Sequence, residues 1–322
     1  MIEASRLAKK FGTVNAVRDV SFKVAKGEVV GFLGPNGAGK TTTIRMVTGY
    51  IQPTEGEAFV NGQSVIEAPM ETRRNIGYLP ENNPLYEELR VREYLGFRAA
   101  LKGVPRRRRS KRISEVAGMT ETGDVLEKII GSCSKGYRQR IGLADALLAD
   151  PPVLILDEPT VGLDPAQIVR TRDLIKSLSA QHTVILSTHI LPEVEAICSR
   201  ALIIHRGALL YDGRVEDLGR SLSAGDTLVC RVVGDAAAAE GCLSSVPGVE
   251  RIEKLDENDG RSRFRLLVSK GDAAREAIFW ALAEARLPIL EMSTSRVSLE
   301  EAFLSLTTDE NEPDGGEKEV LA

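Results

Sequence analysis

GPNGAGKT, residues 34–41, follows the apolar run Val29, Val30, Gly31, Phe32, Leu33 and precedes a helix-like segment over residues 42–48. A glycine-rich turn between a buried strand and a helix is the setting in which the pattern G-x-x-x-x-G-K-[ST] cradles nucleotide phosphates, because backbone N–H groups and the helix N-terminus face the anion. Gly34, Gly37 and Gly39 leave room for backbone to approach a ligand, with Pro35, Asn36 and Ala38 between them and Thr42 just beyond. Lys40 is placed to reach the β and γ phosphates, and Thr41 to offer its hydroxyl to Mg²⁺. This stretch alone leaves ATPase, GTPase and kinase chemistry open.

The chain has 322 residues, 43% hydrophobic and 27% charged, which suits a globular protein of one large or two ordinary domains. Its formal charge of −4 gives no overall attraction to nucleic acid, and no aromatic platform accompanies the basic run Arg106, Arg107, Arg108, Arg109 with Lys111 and Arg112. That run reads as a solvated helix face, with contact to anionic lipid or to an acidic loop of a partner as the other reading. No apolar run approaches the roughly 20 residues that span a bilayer, and the N-terminal segment lacks a signal-peptide core, so a cytoplasmic chain is expected. Cys133, Cys198, Cys230 and Cys242 lack metal-ligand spacing and read as reduced packing residues.

Along the chain, Val20, Phe22 and Val24 alternate with polar neighbours, as do residues 2–7, which predicts half-buried strands before the glycine loop. Residues 57–60 and Asn61-Gly62 predict a strand and a hairpin turn. Residues 84–150 change to helical spacing and read as an inserted helical subdomain. The run Val153, Leu154, Ile155, Leu156 reads as a buried parallel strand ending in Asp157-Glu158, and Asp164-Pro165 as a helix start. After a Ser- and Gly-rich stretch near residues 219–226, strands and helices alternate as β-α-β-β-α-β, the order of a small ferredoxin-like unit. Residues 298–306 read as a closing amphipathic helix and residues 309–322 as a disordered acidic tail. The predicted fold is α/β: a mainly parallel sheet with an antiparallel β subdomain and a helical insertion over residues 1–219, then an α+β domain over 226–308.

Taken together, the motifs resemble the nucleotide-binding domain of an ABC (ATP-binding cassette) transporter. The loop is followed in family order by Tyr78-Leu79-Pro80-Glu81, by CSKGYRQR at 133–140, by VLILDEPT at 153–160, by Gly162-Leu163-Asp164-Pro165 and by Ser187-Thr188-His189. The resemblance implies a P-loop ABC cassette that binds ATP and Mg²⁺. Asp157 would hold the metal together with Thr41 and Glu81, Glu158 would orient and deprotonate the attacking water, and His189 would contact the γ-phosphate. Phe11 would stack on adenine. Ser134, Lys135 and Gly136 stand at the signature position, which in the family serves the ATP of a second subunit, and Asp164 matches the loop that couples the two sites. Glu81 departs from the usual glutamine, and Cys133 from the usual leucine.

YLPENNPLY, SKGYRQR and SLEEAFLSLT are similar to the ATP-binding subunits of type-2 bacterial exporters, the branch with drug, polysaccharide and gliding-motility systems. The resemblance implies a homodimer, a separately encoded permease and a place on the cytoplasmic face of the membrane, with no nucleic-acid partner. The rival reading is a soluble ABC-type ATPase acting on DNA or the ribosome, or a nucleotide-dependent switch; such chains commonly carry two cassettes or a long coiled-coil insertion, and this one has neither.

Overall fold

A computed structural model describes residues 1–221, 226–269 and 272–295, which fall into two compact units divided after Val215. The expected closing helix at 298–306 and the tail at 309–322 lie outside the described residues.

The first unit opens with β1 (Ile2–Phe11) and β2 (Val14–Val24), an antiparallel pair. Ile2 and Ala4 point inward by strict alternation, but a register shift after Ala4, with Arg6 at φ 47°, lets Leu7 face the core in place of Arg6. Next, β3 (Val29–Leu33) runs into α1 (Lys40–Val47), and β4 (Glu55–Val60) and β5 (Gln63–Ser64) turn back through Asn61-Gly62, both at positive φ. One antiparallel sheet has the order β2-β1-β4-β5.

After α2 (Pro69–Arg74) and β6 (Ile76–Leu79) come the three main helices of the insertion: α3 (Val91–Leu101), α4 (Arg106–Met119) and α5 (Lys135–Leu147). Asp145 of α5 is buried, and a buried carboxylate is costly unless paired. Arg98 meets it with Nε at 3.0 Å and an Nη at 2.8 Å, and Lys102 Nζ lies at 3.3 Å. Arg112 of α4 donates to the Leu147 and Leu148 carbonyls at 2.7 and 3.2 Å. Part of the basic stretch therefore ties helices together, whereas Arg106, Arg107 and Arg108 are exposed.

The second sheet adds β7 (Val153–Asp157), α6 (Pro165–Leu178), β8 (Thr183–Thr188), α7 (Leu191–Ile197), β9 (Arg200–His205) and β10 (Ala208–Arg214). Its order is β10-β9-β3-β8-β7-β6, with β10 antiparallel to β9 and every other neighbouring pair parallel. Every residue of β7 and β8 is buried, which explains their near-continuous apolar runs. Parallel pairing puts the carboxyl ends of β3, β8 and β7 side by side, where ligands of open α/β sheets bind.

Helix α8 (Val215–Ser221) starts at the division between the units. In the second unit, β11 (Asp226–Val233), α9 (Ala236–Ser244), β12 (Val249–Asn258), β13 (Arg261–Val268), α10 (Asp272–Glu284) and β14 (Ile289–Ser295) form an antiparallel sheet of order β12-β13-β11-β14. That is the ferredoxin-like arrangement, in which the first and third strands are central. Leu228, Cys230, Phe264 and Leu266 of the central strands pack with Leu243 of α9 and Ile278 and Leu282 of α10 in a core of their own.

Candidate nucleotide site

The loop between β3 and α1 is shaped by its own fold as well as by room for a ligand. A Cβ on Gly34 would overlap the Ile204 carbonyl, and one on Gly39, at φ 106°, would meet the Ala16 carbonyl. Only glycine tolerates that conformation and that proximity together. Beneath the loop, the β9–β10 turn donates Gly207 N–H to the Ala38 carbonyl at 2.9 Å and accepts Arg18 N–H at 2.6 Å. Gly207 lies 169 residues beyond Ala38 in sequence, so no local pattern announces the turn.

Around the loop lies a cleft of about 400 Å³ lined by Ala16, residues 35–42, Glu81, Glu158, Val161 and His189. Lys40 is buried, and its ammonium donates to the Gly34 and Pro35 carbonyls at 2.7 and 3.2 Å. The same ammonium lies 3.4 Å from Glu158 Oε1. On the other side, His189 Nδ1 is 2.9 and 3.1 Å from the two Glu158 oxygens. Glu158 thus stands between a cation and an imidazole, 5% exposed. Its backbone is left-handed, φ 51°, which costs a side-chain-bearing residue on the order of 1 kcal/mol, and its N–H donates to the Ser187 carbonyl at 2.9 Å. That turn aims the carboxylate back over the loop.

Asp157 closes β7 and is fully buried. Thr41 Oγ1 is 3.5 Å from its Oδ1, while Oδ2 has no hydrogen-bond partner. Burial holds this carboxyl above its usual range; the Ser187 and Thr41 hydroxyls pull it part of the way back, and the negative charges of Glu158 and Glu81 add to the rise. A buried anion with a bare oxygen next to a threonine hydroxyl fits a hard cation such as Mg²⁺, which takes oxygen ligands.

Sequence reasoning missed Glu193 of α7, 1% exposed. Thr160 donates to one of its oxygens at 2.5 Å and Thr188 to the other at 2.9 Å. Its only sequence signal is a glutamate between the apolar Leu191 and Val194, indistinguishable by pattern from solvent-facing Glu195.

The remaining predicted residues stand outside this cleft. Phe11, half exposed at the end of β1, has the Lys9 ammonium 5.2 Å above its ring. Ser134 caps α5, accepting Tyr137 N–H at 3.3 Å, and Asp164 caps α6, accepting Gln167 N–H at 2.9 Å. A Cβ on Gly136 would overlap the Gln167 amide, and one on Gly162 the Lys135 ammonium. The tip of α5 therefore packs against the turn leading into α6. Ser134, Lys135 and Asp164 are exposed there.

A family model described as ABC transporter matches residues 17–161, and one described as AAA domain, putative AbiEii toxin, Type IV TA system, matches residues 129–194. The chain is 35% identical over 320 residues to the uncharacterized ABC transporter ATP-binding protein YhcH of Bacillus subtilis (strain 168), covering 97% of each. It belongs to the ABC transporter ATP-binding proteins. It is also 40% identical over 214 residues to the bacitracin transport ATP-binding protein BcrA of Bacillus licheniformis, covering 66% of this chain and 69% of that one. Among solved structures, an ATP-binding subunit of an ABC transporter superposes with a TM-score of 0.63 at 33% identity, over 69% of this chain and 92% of that one. A cassette solved as a dimer in a post-hydrolysis state with ADP and Pi gives 0.62 at 25% identity, over 67% and 99%. This ABC protein is accordingly an ATP-binding and hydrolysing cassette of the transporter type.

Proposed function

We propose that this cassette drives an exporter: two copies close head to tail on two ATP molecules, hydrolysis parts them, and a separately encoded permease turns that motion into transport. The observation that carries the reading is Glu158, held between Lys40 and His189 over the phosphate loop. With ATP present, Lys40 leaves the loop carbonyls for the β and γ phosphates. Glu158 then accepts the proton of the attacking water, and His189 meets the γ-phosphate. Thr41, Asp157 and Glu81 would hold Mg²⁺, which neutralises phosphate charge when bound. Phe11, half exposed, offers a flat ring for adenine.

Ser134 and Gly136, at the N-terminus of α5, are suited to a γ-phosphate held by the partner copy, since a helix tip with unpaired N–H groups favours an anion. Asp164 lies on the turn packed against that tip and would link the two sites. Drug transport has support among the relatives: alongside the bacitracin transport protein, a probable multidrug ABC transporter ATP-binding protein, YbhF of Escherichia coli (strain K12), is 36% identical over 227 residues, covering 70% of this chain and 39% of that one. The export direction rests on the resemblance of YLPENNPLY and SKGYRQR to the exporter branch. Among the described residues no helix is long and apolar enough to cross a membrane, so contact with the cytoplasmic face of the membrane would run through the permease.

Lys40→Ala tests the site. Removing the phosphate-directed charge should abolish tight ATP binding or steady-state turnover; normal hydrolysis in a folded variant would refute the assignment of the loop.

A further inference from the structure

Two short loops must keep a fixed distance for Glu158 and His189 to act on one phosphate, and they leave different strands. Glu158 follows β7; His189 follows β8. We propose that Glu193 is the positioning residue that sets where His189 stands relative to Glu158, an inference that rests on reading those two as the hydrolytic pair.

The carboxylate of Glu193 is buried, and each of its oxygens accepts a hydroxyl from a different loop. Thr160, two residues beyond Glu158, donates at 2.5 Å; Thr188, immediately before His189, donates at 2.9 Å. The Thr188 hydroxyl in turn accepts the N–H of Ile190 at 3.0 Å, so both neighbours of His189 in sequence are held to the same hydroxyl. A carboxylate supplies two acceptors in the plane of one rigid group. Glutamine would present one acceptor and one donor, and the donor would face a hydroxyl whose own proton then has nowhere to go. Two acceptors on one rigid, buried group thus serve geometry here: a small rotation of either loop breaks one of the two hydrogen bonds. Glu193 lines no part of the nucleotide cleft and touches no residue assigned to phosphate, which makes it a positioning group and not a catalytic one.

The test uses the full chain with Glu193→Gln and, separately, Thr188→Val, which keeps shape and removes only the hydroxyl. The protein has 3 histidines, so the ring-nitrogen resonances of His182, His189 and His205 are resolvable by ¹⁵N NMR. In both variants the His189 signals should move toward those of an imidazole free of Glu158, while His182 and His205 stay in place. Turnover should fall about tenfold to a hundredfold, the scale of small misplacements of catalytic groups, with KM for ATP within about threefold. His189 signals unchanged in the folded variants, or KM rising as kcat falls, would overturn the proposal. His189→Ala separates the two readings: full turnover in that variant would sink the hydrolytic assignment of His189, whereas the NMR response to Glu193→Gln reports on positioning whatever that result.

Discussion

Asp157 holds its carboxyl group fully buried at the end of β7. Burial works against its ionised form, and the Ser187 and Thr41 hydroxyls offset only part of that cost, so the carboxylate weakens the fold it belongs to. Asp157→Asn should stabilise the nucleotide-free protein by on the order of 1 kcal/mol, read as a raised Tm, while removing most Mg²⁺-dependent turnover. A lower Tm would show that the carboxylate is already well satisfied. Cysteine chemistry offers a second check: burial pushes the Cys198 thiol up to about 12 and Cys230 to about 11, so little thiolate is available at pH 8. In native protein at that pH, Cys242, half-buried, should react with a thiol reagent before either; fast labelling of Cys198 would contradict its packing. Asp157, Glu158 and Lys40 were legible in the sequence because each sits at the end of a local pattern, a buried run or a glycine turn. Glu193 and Gly207 were not, because their partners come from other strands and only the folded sheet brings them near.

Among the helices, α6 is one that begins on a side-chain cap. Asp164 ends a loop and starts α6, with Pro165 at the first helical position. Asp164→Ala should cost about 1 kcal/mol in urea unfolding, and Asp164→Asn much less, since asparagine caps equally well. Equal losses would mean that the charge, not the cap, holds this turn. Alternation announced β2, a continuous apolar run β7 and the Asp164-Pro165 start α6, and the succession of strand and helix patterns gave the β-α-β-β-α-β order of the second unit. They did not announce the register shift in β1, because a single extra residue with Arg6 in a left-handed conformation is set by pairing to β2 and not by composition. Helix α2, only six residues long, was likewise invisible: one turn and a half carries too little periodicity.

For the whole molecule, two units with separate cores imply that the cassette can stand without the second. A chain ending at Ser221 should fold and bind ATP with a Kd close to that of the full protein; a folded truncation that lost binding would place the second unit within the nucleotide site. Ser134, Lys135 and Gly136 at the α5 tip line no part of the phosphate cleft, and on the function proposed above a second copy would complete the site. Glu158→Gln should trap ATP without hydrolysing it, so sedimentation velocity on that variant at saturating ATP tests the claim most directly. The expected result is a dimer that returns to monomer when Ser134→Arg is added; a monomer at every ATP concentration would rule out a site shared between two copies.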